Sequence, residues 1–168
     1  MSHVMRALLR QLQTRLRRIQ DEIDDTTAQI ERIAASDAQC QRLHAIPGVG
    51  PLVATALISA VGNGAQFHCS RDLAAWIGLV PRQYSTGGRS RLLGMSKRGN
   101  HYLRRLLIHG ARSIMQHVDR SAHYFGKWLT QLQQRVHHNV AAVSLANKLA
   151  RITWAVLRRE EPYRVVSA

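Results

Sequence analysis

Ser85 stands in the run Tyr84-Ser85-Thr86-Gly87-Gly88-Arg89, with Arg82 before it and Arg91 after it. A hydroxyl set between glycines and guanidiniums is the arrangement that a phosphate-attacking nucleophile needs. Gly87 and Gly88 let a backbone come close, and Arg89 and Arg91 could stabilise the charge that builds on a pentacovalent phosphorus. The plain alternative is that serine and glycine in a loop make only a loop. No Asp, Glu or His lies within a few residues of Ser85 to act as its base. A base or a metal would have to come from elsewhere.

A second turn follows, Met95-Ser96-Lys97-Arg98-Gly99-Asn100, ahead of a helix expected from about His101 to Val118. Asn100 suits an N-cap, with Leu103, Leu106, Leu107, Gly110, Ile114 and Val118 as the buried stripe and Arg104, Arg105 and Arg112 mostly off it. Lys97 and Arg98 add charge where helix-start amides are free, which makes either a second anion-binding end or an ordinary capped helix. Between Asp72 and Asp119 there is no acid, against Arg82, Arg89, Arg91, Lys97, Arg98, Arg104, Arg105 and Arg112. This window is the strongest electrostatic footprint in the chain.

The whole chain is basic as well, with 24 Lys plus Arg against 10 Asp plus Glu over 168 residues and a net charge of +14. That balance favours a polyanion, DNA or RNA, over an acidic small molecule. The length predicts one compact domain with an appendage. Cys40 and Cys69 have neither zinc-ligand nor disulfide spacing and read as small buried or half-buried residues. His137-His138, without placed carboxylates, reads as an inter-helix turn, so no metal site is expected in this chain. No apolar run is long enough for a membrane span, and a cytoplasmic, nucleoid-associated protein without a membrane partner is expected.

The expected fold class is all-α: a coiled-coil arm over residues 1–36, then a helical domain over 37–168 with a helix-hairpin-helix at 43–62. Met5, Leu9, Leu12, Leu16, Ile19, Ile23, Thr26, Ile30 and Ile33 follow the alternating three- and four-residue steps of a coiled coil. The first half of that arm is basic and the second acidic, which suits antiparallel pairing and hence a homo-oligomer. The alternative is an amphipathic helix lying on its own domain. Ser36 and Asp37 can cap a short helix with Cys40 and Leu43. Ile46-Pro47-Gly48-Val49-Gly50-Pro51 followed by an Ala-rich helix has the form of a helix-hairpin-helix, in which Gly48 and Gly50 permit the tight connection and free amides of the second helix suit a backbone phosphate. The bland alternative is a turn between packed helices.

Farther along, Ser70 and Asp72 can cap a helix with Leu73, Ala74, Trp76 and Ile77 on its apolar side, closed by Gly78. Ser121 is expected to cap a helix to about Val136 with Tyr124, Phe125, Trp128, Leu129 and Leu132 in the core. Asn139 is expected to cap the last helix, to about Arg159, with Val140, Val143, Leu145, Leu149, Ile152, Val156 and Leu157 buried. No segment shows a clear strand period.

Leu43 to Tyr163 resembles the C-terminal transposase domain of bacterial insertion-sequence transposases of the IS-one-ten and IS-eleven-eleven group. The likeness rests on I-P-G-V-G-P at 46–51, A-A-W-I-G-L-V-P-R at 74–82, S-T-G-G at 85–88, S-K-R-G-N-H-Y-L-R-R-L-L at 96–107 and A-x-K-L-A-R-I-T-W-A-V-L at 146–157, in that order. It implies DNA strand cleavage and rejoining directed by a structured guide RNA. It also implies that a RuvC-like N-terminal domain holds a divalent metal, magnesium, on an Asp-Glu-Asp-Asp quartet, and that the C-terminal domain supplies a serine nucleophile. By motif that serine falls on Ser85, with Ser96 the competing candidate. The ten acids here do not form such a quartet: Asp21, Glu22, Asp24 and Asp25 sit on the arm, Asp72 and Asp119 suit caps or turns, and Glu160 and Glu161 end the last helix. The expectation is thus a C-terminal part of a transposase, catalytically incomplete alone. The other reading is a nucleic-acid-binding and oligomerisation module without chemistry.

Overall fold

The computed structural model describes residues 2–117 and 125–164. Its helices are α1 (His3–Ser36), α2 (Ala38–His44), α3 (Pro51–Val61), α4 (Ser70–Ile77), α5 (His101–His117), α6 (Gly126–Arg135) and α7 (His138–Arg159). Two strands, β1 (Pro81–Thr86) and β2 (Arg89–Met95), lie between α4 and α5. The fold is mostly helical, as the apolar patterning predicts. The expected roles of Val118, Asp119, Ser121 and Tyr124 fall outside the described residues.

The body is built around α7, which packs against α5, α4, α2 and α6. Its buried face is Ala141, Ala142, Leu145, Ala146, Leu149, Ala150, Thr153, Val156 and Leu157. These positions recur at helical spacing, so one continuous stripe enters the core. The sequence reading assigned that stripe to bulkier residues, yet Val140 is 52% exposed and Val143 and Ile152 are only half-buried. Alanines take the centre because short side chains let packed helix axes approach closely. Thr153, the buried polar residue of the stripe, donates its hydroxyl to the Ala150 carbonyl at 2.9 Å. α7 is long and apolar enough to cross a membrane by composition, but half of its most apolar window is buried in the body, as in a core helix.

The start of α7 also differs from expectation. His137, not Asn139, is the N-cap, its Nδ1 accepting from the Asn139 amide at 3.2 Å. The Asn139 side chain instead accepts from Arg112 of α5 at 3.2 Å. At the other interface of α7, the Lys148 ammonium sits 4.4 Å from the Trp128 ring centroid and 5.2 Å from that of Phe125. Burial, with the charge of Arg151 adding to it, holds this ammonium below the usual lysine range.

α1 is one continuous helix of 34 residues, about 51 Å long. Ala34 is its buried residue. Met5, Leu9, Leu12, Leu16, Ile19, Ile23 and Ile33 are between 44% and 66% exposed, so the apolar seam does not lie on the body of its own chain. Thr26, the polar residue in that seam, donates to the Glu22 carbonyl at 2.8 Å and is satisfied within the helix. Asp37 then starts α2 by accepting from the Gln39 and Cys40 amides. The Cys40 thiol is buried, and burial followed by the nearby Asp37 charge pushes its pKa up. Cys69, expected to be at least half-buried, is exposed. It precedes α4, where the Asp72 carboxylate accepts the Cys69 amide at 3.1 Å. Trp76, expected in the core, is 40% exposed and leans edge-on against Phe67 with ring centroids 5.8 Å apart.

Residues 81–95 correct the sequence reading, which took only a turn here. β1 and β2 form an antiparallel hairpin with Thr86 opposite Arg89, so the connection is Gly87-Gly88 alone. Both glycines have positive φ, 55° and 75°, the condition for the tight two-residue turn whose twist matches its strands. The strands escaped the period test because every residue of β1 is exposed. A ribbon with no buried face leaves no alternating apolar signal.

Candidate nucleic-acid interface

The hairpin pairs Tyr84 with Arg91, Ser85 with Ser90 and Gln83 with Leu92, with a register shift between Pro81 and Gln83 where Arg82 lies. Strand alternation therefore separates two faces. One carries Tyr84 and Thr86 with Arg91 and Arg89 across from them. The other carries Gln83 and Ser85. Arg82, Ser85, Gly87, Gly88, Arg89 and Arg91 are all exposed, and nothing lies within 4 Å of a Cβ placed on Gly87 or Gly88. The Ser85 Oγ accepts a hydrogen bond from Gln83 Nε2 at 2.8 Å. Gln83 was not singled out from the sequence, although its position two residues before Ser85 on a strand puts both on one face.

The second turn is physically different. Gly78 closes α4 in the left-handed region with φ 80°, and the chain returning from β2 is bonded directly to it. The Ser96 amide donates to the Val80 carbonyl at 2.8 Å, and the Asn100 amide to that of Trp76 at 3.4 Å. The Ser96 hydroxyl donates to the Gly78 carbonyl at 3.2 Å. The two backbones are in van der Waals contact: a Cβ on Gly78 would fall 1.8 Å from the Arg98 carbonyl oxygen, and one on Gly99 would fall 1.8 Å from that of Trp76. Asn100 caps α5, its Oδ1 accepting from the Tyr102 and Leu103 amides at 3.1 Å. Arg104 donates to the Ile77 carbonyl at 2.8 Å and the Arg98 carbonyl at 3.3 Å, which binds the carboxyl end of α4 to this turn. Lys97 and Arg98 face solvent. Arg105 lies 5.8 Å from the Tyr102 ring centroid.

The glycines of the α2–α3 connection also divide. Gly48 has φ 77° and packs against α5, where a Cβ would fall 2.7 Å from the Gly110 carbonyl oxygen; a Cβ on Gly110 would in turn fall 2.0 Å from that of Gly48. Gly50 precedes Pro51 at the start of α3 and has nothing within 4 Å of its Cβ position. The structure thus brings Ser96, Asn100 and Arg104 together at the end of α4, sets Gly48 into the core contact, and leaves Gly50 and the hairpin residues open. Gly110 was read only as part of a stripe. Its signal was available, since a glycine within a helix costs about 1 kcal/mol against alanine and needs a packing reason. Among the described residues, no three His, Cys, Asp or Glu side chains converge as a metal site would require.

The described residues therefore form a mostly helical body with a long exposed arm and a basic hairpin that carries no acidic residue. The match to known families is specific. The model described as "Transposase IS116/IS110/IS902 family" matches residues 40–126, half of the 168 residues, and the chain belongs to that family of insertion-sequence transposases. It is 47% identical over 160 residues to the "Transposase for insertion sequence element IS1111A" of Coxiella burnetii, covering 95% of this chain and 44% of that protein. It is 45% identical over 136 residues to the "Transposase for insertion sequence element IS1328" of Yersinia enterocolitica, covering 81% of this chain and 41% of that protein. A Pseudomonas aeruginosa protein named "Probable family 20 transposase" is 48% identical over 160 residues, 95% of this chain and 47% of its own. The chain spans less than half the length of these relatives.

Proposed function

We propose that this chain is the DNA-binding, serine-bearing part of an insertion-sequence transposase, with Ser85 as the nucleophile of strand cleavage and rejoining. The observation that carries the choice is the contrast between the two serines. The Ser96 proton is donated to the Gly78 carbonyl in a half-buried turn, whereas Ser85 stands on an exposed ribbon and accepts from Gln83. In the proposed reaction the Ser85 Oγ–P bond forms as the phosphorus–deoxyribose oxygen bond breaks. The Ser85 hydroxyl gives up its proton to solvent as the departing oxygen takes one from it, so the exchange is proton-neutral, and a second deoxyribose hydroxyl later reverses it. Arg82, Arg89 and Arg91 supply positive charge beside the ribbon for the phosphate.

The described residues do not fit a divalent metal, and no step runs through one here. The matched relatives are more than twice as long as the stretch they share with this chain, and we place the implied magnesium-binding acidic quartet in the part of such a protein that these 168 residues do not cover. The same reading takes residues 1–36 as an arm and 37–168 as the body. The arm joins copies antiparallel, its five arginines in residues 1–18 facing the five acids in 19–36 of the partner. DNA, a structured guide RNA and a nucleoid location follow from the family reading. Gly50 at the start of α3, in a helix-hairpin-helix, and Lys97 and Arg98 at the start of α5 extend the phosphate-facing surface.

The test restores the metal-bearing domain and compares Ser85→Ala with Ser96→Ala in strand transfer, following the protein–DNA adduct on a denaturing gel. Ser85→Ala should abolish transfer and adduct with DNA binding intact. Loss only with Ser96→Ala would move the assignment. Full transfer by both variants would leave the binding module without chemistry as the surviving reading.

A further inference from the structure

Tyr84 is the most exposed aromatic side chain among the described residues, at 64% against 40% for both Trp76 and Tyr102. The other two have partners, since Trp76 meets the Phe67 ring and Tyr102 lies under the Arg105 guanidinium. The Tyr84 side chain makes no ring, cation or hydrogen-bond contact among the described residues. It is directly across the ribbon from Arg91, and the Thr86–Arg89 pair follows on the same face. A two-stranded hairpin is only marginally stable alone, so a bare ring at its centre stabilises nothing until something covers it.

We propose that Tyr84, with Arg91 beside it, is a stacking site for an unpaired base of the DNA strand that Ser85 attacks. The assignment to DNA rests on the reading of Ser85 given above. Charge selects the class of partner, because the acid-free window around the hairpin repels nothing on a phosphate backbone and attracts all of it. Ring geometry selects the base state. In a duplex the π-faces of bases are hidden in the stack and only their edges reach the grooves, so a ring that offers its own face needs a base taken out of the stack. Spacing is compatible, since residues two apart on one strand are about 6.7 Å apart, roughly twice the ~3.4 Å rise per nucleotide. A base on Tyr84 leaves neighbouring phosphates to Arg89 and Arg91. Ser85, the next residue, lies on the opposite face of a ribbon whose two strands are both edges, so one strand of DNA passing over the β1 edge meets both.

The experiment measures fluorescence anisotropy of a labelled oligothymidylate, a duplex of equal length and an oligouridylate with the 168-residue chain and its Tyr84→Ala, Tyr84→Phe and Ser85→Ala variants. Tyr84→Ala should weaken oligothymidylate binding roughly five- to hundredfold, leave duplex binding within about twofold, and leave the salt dependence unchanged. Tyr84→Phe should bind as the parent does. Because Tyr84 touches no core residue, the variants should keep the parental melting temperature. Equal losses on duplex and single strand, no loss at all, or a Tyr84→Phe defect as large as that of alanine would overturn the stacking site. A loss confined to oligouridylate would overturn its assignment to DNA. Ser85→Ala should keep oligothymidylate affinity, so failure of the nucleophile reading would show only in strand transfer and not here.

Discussion

The two turns of the basic segment are similar in composition, each combining serine, glycine and arginine, and they live under opposite constraints. At the hairpin tip Gly87 and Gly88 face open space, and the Ser85 hydroxyl is bound by Gln83 of its own strand. At residues 96–100 the backbone touches the end of α4, the serine hydroxyl is committed to Gly78, and Arg104 closes the joint from α5. The lesson is that residue type does not separate chemistry from architecture here. What separates them is whether the backbone beside the serine is packed against the helical body, as at α4, or paired only within its own hairpin. The locked turn fixes where β2 ends and α5 begins, and so aims the free one.

The sharpest way to break this contrast is a methyl group at each turn. Gly99→Ala must push a Cβ into the Trp76 carbonyl and hold a φ of 88°. Strain and overpacking together should cost roughly 2–6 kcal/mol, a fall in melting temperature on the order of 10 °C for a chain of this size. Gly87→Ala meets no neighbour and only the positive-φ cost, about 1 kcal/mol, confined to the hairpin. Thermal unfolding followed by circular dichroism should rank Gly99→Ala far below Gly87→Ala. Similar melting temperatures would mean the second turn is not locked.

The serines come next in size. Ser96→Ala removes a hydrogen bond to a half-buried carbonyl and should lower stability by about 0.5–1.5 kcal/mol. Ser85→Ala should leave unfolding unchanged, because its exposed partner Gln83 turns to water. Urea titration of both variants checks this, and a stability loss at Ser85 equal to that at Ser96 would erase the distinction on which the nucleophile assignment stands.

Much of this architecture could be read beforehand. Asn100 as a cap, Gly78 as a helix stop and the regular seam of α1 follow from rules that act within one or two turns of chain. What escaped reading depends on distant partners or on their absence. That Gly48 serves Gly110, and Gly99 serves Trp76, is a fact about backbones meeting across the fold, invisible in local spacing. The alanine stripe of α7 was passed over because valine and isoleucine carry the stronger hydropathy signal, although close helix packing prefers the smaller residue. The ribbon was missed for the reverse reason: with no buried face it has no pattern to show, and only Gly87-Gly88 between Thr86 and Arg89 gave it away.

The smallest effect separates the arginines. Arg89 and Arg91 stand free on the ribbon, while the Arg104 guanidinium is bound to the Ile77 and Arg98 carbonyls. If the ribbon meets phosphate, Arg89→Gln should reduce the slope of log affinity against log salt by about 0.7–0.9, the value of one phosphate contact. Over a fourfold change in salt that is only about threefold in affinity, so the slope and not a single affinity must be measured. Arg104→Gln should do the opposite, lowering the melting temperature through lost bonds at the end of α4 while the slope stays near that of the parent. A slope change at Arg104 with none at Arg89 would place the phosphate path along the locked turn and α5, and would leave the ribbon with its serine outside it.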